Sequence, residues 1–434
     1  MSRKFISFWL IILPVIVLLY AGLFLAIRLR YPEGLSRAEL NSHLVIFSVL
    51  FIFWLLVFFI HGLFETKIFR RYTDIIFGLA SAIAINVLVA ITYFYIQPEL
   101  ILTPRRFLLV LAAVVFVLLL VWYLIVKYIL KNRLFEEVYF FSFDGELNEL
   151  EKEIKNHEYL GIKILGHLNE KNFNKANFKK DTGLILPDNL SGRTEIINQF
   201  FKLRTLGILF YNFQDFYENL LRRVYLSRLN EVWFLENVNY KEKRFYGMLK
   251  RLTDLLFGVL TILPFVVTFP AVALLIKLTS KGAIFFVQER VGKNGKIFKV
   301  YKYRTMNGGP TNTWTSVNDP RITTLGRFLR KSRIDELPQF INLIIGNMSL
   351  VGPRPEQPHI VTELKKQVQF YDERHFVKPG LTGWAQLNST YAGSTEETKL
   401  KLQYDLYYIK NRRFLLDLEI ILKTFYYVFT WKGR

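Results

Sequence analysis

Cysteine is absent from the 434 residues, which excludes disulfides, thiolate zinc sites and a cysteine nucleophile. Histidine is scarce. The six, at positions 43, 61, 157, 167, 359 and 375, show no paired ligand spacing, so each reads as a surface or satisfied interior residue rather than a metal ligand. Acidic residues are few beside basic ones, 36 Asp and Glu against 57 Lys and Arg, a formal charge of +21. No helix-turn-helix, finger or RNP-type pattern accompanies that charge, so nucleic acid is not the expected partner. The excess is concentrated late: residues 248–434 hold 28 Lys and Arg against 14 Asp and Glu, or +14 of the +21. That suits anionic lipid headgroups and a nucleotide diphosphate alike.

What the chain has in abundance is apolar residues, 52% of the total with 16% aromatic, too apolar for an ordinary soluble protein of this length. Four charge-free runs, at 5–27, 44–60, 75–96 and 107–126, match or approach the length that crosses a hydrocarbon core of roughly 30 Å. The first lacks a small-residue cleavage pattern and is followed by further spans, so it reads as a span rather than a signal peptide. With the N terminus inside, the inner segments hold Arg3, Lys4, Lys67, Arg70, Arg71, Lys127, Lys131 and Arg133, against Arg28, Arg30, Arg37, Arg105 and Arg106 outside. This bias predicts a four-helix transmembrane bundle over 1–131 with both ends in the cytoplasm.

Residues 132–246 alternate strand and helix patterns, which predicts an α/β domain of Rossmann type. Its first strand is followed by Gly145 alone, where a dinucleotide fingerprint needs several glycines to bring backbone against pyrophosphate. A structural or regulatory module is expected there, without NAD or FAD. Residues 255–276 form a fifth uncharged run, flanked by Lys250, Arg251 and Asp254 before it and Lys277 and Lys281 after, and containing Pro264 and Pro270. Proline removes a helix hydrogen bond and clashes with the preceding turn. A crossing helix would also place everything beyond Lys277 outside the cell. The expectation is a re-entrant helix, broken near the prolines and returning to the side it came from, the alternative being a kinked fifth span.

The stretch KSRIDELPQFINLIIGNMSLVGPRPE, 331–356, sets two adjacent carboxylates among arginines. Phosphoryl transfer needs a nucleophile and cationic clamps for oxygen charge. Asp335 and Glu336 are of the right kind for the first task, Arg333 and Arg354 for the second. Residues 332–345 read as one short helix with Pro338 near its start. Adjacent helical residues point about 100° apart, so the two carboxylates take different roles. Arg304 and Arg354 suit bidentate phosphate contacts, with Lys302 and Gln288 as further phosphate- or substrate-binding candidates. The GKNGK segment reads as the turn of a β-hairpin. Ser394 and Glu397 form a capping box opening a helix, and 414–431 has the composition of an interfacial helix.

Together with KRLTD from Lys250, FFVQERVGKNGKIFKVYKYRTM from Phe285, NDPRITTLGRFLRKSRIDELPQ from Asn318 and KPGLTGWAQLN from Lys378, this stretch resembles the bacterial sugar transferase family. These are the monotopic phosphoglycosyl transferases, or polyprenyl-phosphate hexose-1-phosphate transferases. In its large form the family carries four spans and a Rossmann-like domain, here a degenerate, CoA-binding-like module over 132–246, ahead of a catalytic domain over 247–434 with a re-entrant helix. The resemblance implies transfer of a sugar-1-phosphate, glucose or galactose, from a UDP-sugar to undecaprenyl phosphate. UMP and undecaprenyl-diphosphate-sugar are the products, and the step opens exopolysaccharide, capsule or O-antigen synthesis at the bacterial inner membrane. It makes Asp335 the nucleophile and a ligand of Mg²⁺, and Glu336 a group that orients or relays a proton. Asp405 matches an acidic position that serves the metal or the sugar, the alternative being a surface salt bridge. Membrane lipids are expected partners, and a dimer is compatible. The rival reading is a membrane sensor or scaffold with an inactive transferase domain; the intact Asp335, Glu336, Arg304 and Arg354 argue against it.

Overall fold

The computed structural model describes residues 3–64, 66–69, 72–96, 104–133, 136–141, 148–156, 161–173, 176–187, 194–238, 244–280, 282–307, 319–389 and 394–429. The chain divides into two compact units, Met1–Phe216 and Tyr217–Arg434.

The first unit opens with four apolar helices, α1 (Arg3–Arg30), α2 (Arg37–Ile60), α3 (Tyr72–Ile96) and α4 (Pro104–Arg133). Each is long and apolar enough to cross a membrane. Ser36 and Glu39 form a reciprocal capping box that starts α2. On α1, Ile11, Val15, Leu19, Leu23 and Ala26 recur every three or four residues and are buried in one cluster with residues of α2, α3 and α4. Gly22 lets α1 approach α4, because a Cβ there would lie 2.7 Å from Val115.

The sheet of this unit is built from β1 (Glu136–Phe141), β2 (Ile162–Leu168), β3 (Gly183–Leu186) and β4 (Leu209–Asn212). All pairings are parallel, in the order β2-β1-β3-β4. Helix α5 (Asn148–Asn156) connects β1 to β2, and α6 (Thr194–Thr205) connects β3 to β4. Parallel strands require such crossovers, and this order has the switch point between β1 and β3 that typifies doubly wound sheets. Gly145, on which the cofactor expectation rests, lies outside the described residues.

Helix α7 (Phe213–Leu221) leads into the second unit, followed by α8 (Glu231–Asn237). Val224, Leu229, Phe234 and Val238 are buried against Leu364, Tyr371, Leu402 and Leu406. The segment after Tyr217, assigned to the middle region from its pattern, therefore packs with the later residues, and the unit begins about forty residues before the apolar run that suggested its start. Its remaining elements are α9 (Arg244–Thr279), the antiparallel hairpin β5 (Phe285–Val291) and β6 (Ile297–Tyr303), α10 (Thr324–Lys331), α11 (Phe340–Ile345) and β7 (Ser349–Val351). Then come α12 (Pro358–Gln367), β8 (Gly380–Thr382), α13 (Trp384–Asn388), α14 (Thr395–Asn411) and α15 (Phe414–Phe429). The hairpin and the Ser394–Glu397 capping box stand where the sequence puts them.

Two local expectations change. Helix α9 continues through Pro264 and Pro270 with no interruption. Residues 332–345 are not one helix: Arg333 adopts φ 60° after α10, a 3-10 turn covers Ile334–Gln339, and α11 follows. The reason is tertiary in the first case. Arg251 bonds the carbonyls of Leu343 and Ile344 (2.7 Å each), Gly258 lies against Ile344, Phe265 against Phe340, and Phe269 stacks on Phe285. Val272 and Ile276 join Tyr303 and Leu329. From Arg251 to Ile276, about 38 Å of helix at 1.5 Å per residue, the same unit touches α9 every one or two turns. The opposite face, with Leu252, Leu256, Val259, Leu263, Val266, Leu274 and Leu278, is exposed.

The N-terminal turns of α9 act as a clamp. Lys250 donates to the Val351 carbonyl (2.8 Å) and to Asp417 (2.9 Å), while buried Asp254 accepts from Ser349 Oγ (2.9 Å) and Leu350 N–H (2.7 Å). Asp254→Ala would leave the buried Leu350 N–H without its acceptor, a loss of about 3 kcal/mol. The thermal midpoint of the purified full chain should fall by several degrees; an unchanged midpoint would contradict this role for the carboxylate.

Candidate active site

Four segments converge on Asp335 and Glu336. The first is the 3-10 turn that carries them, set off from α10 by the left-handed backbone of Arg333, a conformation that holds a non-glycine residue under about 1 kcal/mol of strain. The second is the hairpin. Opposed residues share a face of an antiparallel pair, and the register sets Phe286 opposite Lys302, Gln288 opposite Val300 and Arg290 opposite Phe298. Lys302, Gln288 and Arg290 thus lie on one face. The third is the loop Gly352-Pro353-Arg354-Pro355 after β7, and the fourth is α10 with Arg330.

The loop is held from several directions. Gly352 N–H donates to Thr382 O and Gly380 N–H to Pro353 O (2.9 Å each). A Cβ at Gly352, Gly380 or Gly383 would strike the backbone of the facing segment, so these glycines serve close approach. Arg374 donates to the Arg354 carbonyl (3.0 Å), and Arg290 to that of Pro355 (3.1 Å). Glu356 accepts from Lys401 and Arg290. Burial would raise its pKa, but Lys401, Arg374 and Arg290 outweigh burial and hold it at about 2.

With its backbone fixed, Arg354 turns its guanidinium to Glu336 Oε1 (2.9 Å), which Lys302 Nζ also reaches at 2.9 Å, while Arg333 stands 3.8 Å from Oε2. Burial alone would raise the pKa of Glu336, yet these three cations hold it well below the usual carboxylate range. Asp335 is treated oppositely. It is 8% exposed, and Oδ1 is buried with no hydrogen-bond partner among the described residues. Burial and the neighbouring Glu336 charge push its pKa up to about 6, against the opposing pull of Lys302, Arg333 and Arg330. Two adjacent carboxylates are thereby separated into a permanently ionised anchor and a group that ionises just below neutrality. A triply paired Glu336 is poorly suited to exchanging protons; its geometry suits holding Lys302, Arg354 and Arg333 beside Asp335.

The other expected residues have partners of their own. Arg304 packs its guanidinium over Gly282, and Gln288 accepts from Arg290 (2.6 Å). Asp405 is neither a surface residue nor turned toward the carboxylate pair: it is 1% exposed, and Arg374 donates to its Oδ2 at 2.7 and 3.1 Å. Since Arg374 also bonds the Arg354 carbonyl, Asp405 reaches the site only through that arginine. Leu402, Asp405, Leu406 and Ile409 follow the i, i+3, i+4, i+7 spacing of a buried helix face, a signal that places Asp405 inward. Arg330, Arg374, Arg290, Glu356 and Lys401 carry no local sequence signal, and their place beside the site comes from tertiary contacts. Lys250, Arg251 and Asp254 stand on the apolar helix α9, as expected, and tie it to β7 and α11.

A family model described as bacterial sugar transferase matches residues 245–431. Over 226 residues the chain is 39% identical to the UDP-N-acetylgalactosamine-undecaprenyl-phosphate N-acetylgalactosaminephosphotransferase of Aeromonas hydrophila, covering 51% of this chain and 53% of that protein. It is 40% identical over 187 residues to the UDP-glucose:undecaprenyl-phosphate glucose-1-phosphate transferase of Xanthomonas campestris pv. campestris, 42% of this chain and 38% of that one. The chain spans about half the length of these relatives or less. The exopolysaccharide production protein PSS of Rhizobium leguminosarum bv. phaseoli is 39% identical over 190 residues, 41% of this chain and 93% of that protein.

The raised pKa of Asp335 has a stability consequence. Between about pH 4 and 6 the folded state holds a proton that the unfolded state has released, so stability falls as pH rises through that window. The penalty is fully present above pH 6. Measured with chelator present, Asp335→Asn should be more stable than the parent by about 2–3 kcal/mol at pH 8, the advantage vanishing below pH 4. A difference that is flat with pH would overturn the assignment.

Proposed function

The chain belongs to the bacterial sugar transferase family, and we propose that it transfers a sugar-1-phosphate from a UDP-sugar, glucose or galactose, to undecaprenyl phosphate through Asp335. The observation that carries this reading is the pairing of a buried carboxylate, one oxygen of which has no partner among the described residues, with a Glu336-anchored cluster of three cations. In the first half-reaction an Asp335 oxygen bonds the β-phosphorus, the bond from that phosphorus to the bridging oxygen breaks, and UMP leaves with the oxygen. In the second, an oxygen of the lipid phosphate attacks the same phosphorus, the aspartyl bond breaks and the carboxylate is restored. Arg354, Arg333 and Lys302 compensate charge on the transferring phosphoryl oxygens, and Glu336 keeps them in place. Asp405 and Arg374 position the Arg354 backbone.

A divalent metal fits the buried Oδ1 of Asp335. Among the described residues no group of three or more His, Asp or Glu side chains is arranged to hold one, and Glu336 is committed to its cations. Mg²⁺ held by Asp335 together with substrate phosphates or waters is the expected arrangement; when bound it neutralises pyrophosphate charge.

Helices α1–α4 form the membrane bundle of this reading, the segment from β1 to β4 a Rossmann-like module without dinucleotide, and the chain from Tyr217 onward the catalytic domain on the cytoplasmic side of the inner membrane. Contact between one unit and α9 along about 38 Å supports a helix that enters the membrane and stays on one side, since a crossing helix would carry a contact-free stretch of about 20 residues. A place at the start of exopolysaccharide, capsule or O-antigen synthesis belongs to this reading; of these, exopolysaccharide production is what the name of the Rhizobium leguminosarum relative states.

Two measurements test this. UDP-sugars labelled in the β-phosphate should label the protein and release UMP without acceptor, with ping-pong kinetics when undecaprenyl phosphate is added. Asp335→Asn should abolish both; sequential kinetics with no labelled intermediate would remove Asp335 from the nucleophile role. For topology, single cysteines at the exposed positions Arg244 and Thr279 should react with an impermeant maleimide from the cytoplasmic side only. Labelling from opposite faces would mean that α9 crosses.

A further inference from the structure

The 3-10 turn Ile334–Gln339 leaves two buried side-chain atoms without a hydrogen-bond partner among the described residues, Asp335 Oδ1 and Gln339 Nε2. The first has a place in the chemistry above; the second does not. Gln339 is 3% exposed, and its amide nitrogen carries two N–H donors. A buried donor that pairs with nothing destabilises the fold, and a ligand or a catalytic role is among the reasons such a group persists in a native structure. Packing alone gives no reason. A methionine of nearly the same length would fill the space without the penalty.

The position of Gln339 in the turn supplies one. In a 3-10 helix side chains three residues apart eclipse and each residue rises about 2 Å, so Gln339 stands over Glu336, roughly 6 Å further along the turn. Glu336 Oε1 is where Lys302 Nζ and Arg354 meet, each at 2.9 Å, and β6, which carries Lys302, packs along the same turn. Gln339 thus continues a row of donors on the Glu336 side. The two cations have the Glu336 carboxylate as their acceptor; the amide nitrogen has none. Asp335 lies about 120° away around the turn axis, so the amide does not act on that carboxylate directly. A sugar-phosphate joined to Asp335 presents two non-bridging oxygens, and Lys302, Arg354 and Gln339 are the donors on the side to which those oxygens turn. A neutral amide adds a fixed direction there without a further charge.

We propose that Gln339 is a further catalytic residue, its Nε2 donating to a non-bridging oxygen of the phosphoryl group that Asp335 receives. The inference rests on the reading of Asp335 as nucleophile. The substrate brings the acceptor that the folded chain lacks, and the bond strengthens as charge develops on that oxygen in the transition state.

The test uses the purified full chain in detergent and whichever of UDP-glucose and UDP-galactose, labelled in the β-phosphate, labels the parent. Rate constants for labelling without acceptor are recorded beside thermal midpoints. Gln339→Met should take up label about 100-fold more slowly than the parent, while the UDP-sugar concentration that gives half the maximal rate changes far less. Its midpoint should equal or exceed the parent's, because an unpartnered buried amide has been removed. Gln339→Glu keeps the length but puts acceptors where donors stood, and should label as slowly or more slowly, which provides a second reading should the methionine variant fail to fold. A parent that takes no label overturns the Asp335 reading and this inference with it. A parent that labels, beside variants that label equally fast, overturns the inference alone. A lowered midpoint with an unchanged labelling rate per folded molecule would assign Gln339 to the fold instead.

Discussion

Burying two adjacent carboxylates is the constraint around which the catalytic unit is organised. Each charge removed from water carries a desolvation cost of several kcal/mol, and each raises the other's pKa. The fold resolves this asymmetrically. Lys302, Arg354 and Arg333 all turn to Glu336, while Asp335 is left buried with its ionisation near neutrality. A weak base that is ionised at working pH and not tied down by hydrogen bonds is a usable nucleophile; one held by three cations is not.

Because three of the pairing groups come from different elements, that asymmetry depends on backbone placed from far off. The hairpin register turns Lys302 inward. The loop carrying Arg354 is fixed by Lys250 before it, by Gly380 and Thr382 beside it, and by Arg374 and Arg290 at its carbonyls. The Arg374–Asp405 pair is an internal brace. Removing one partner would leave an uncompensated buried charge, so its effect on the site would be structural before it was chemical.

The same clamp connects the site to the membrane-length helix. Lys250 and Asp254 attach β7 to α9, and Arg251 attaches the end of α11. A charged motif at the edge of an apolar helix is commonly read as a mark of the lipid interface. Here its side chains bond the protein interior, and the opposite, apolar face of the helix is the exposed one.

Much was legible in the sequence because it depends on local pattern and composition. Apolar runs of spanning length must leave water wherever they are, the GKNGK turn closes a hairpin by its own backbone preferences, and Ser394 with Glu397 caps a helix without outside help. The motif around Asp335 identified the family for the same reason, since it is contiguous. What tertiary structure decided is what rests on partners remote in the chain. Asp335 and Glu336 are neighbours of similar chemistry, and only the convergence of Lys302, Arg333 and Arg354 separates their roles. Asp405 is thirty-one residues from Arg374, so no local pattern could reveal that it braces the Arg354 loop. Pro264 and Pro270 predict a break by helix propensity; contacts with α11, β5 and β6 along the whole helix outweigh that local preference and keep α9 continuous.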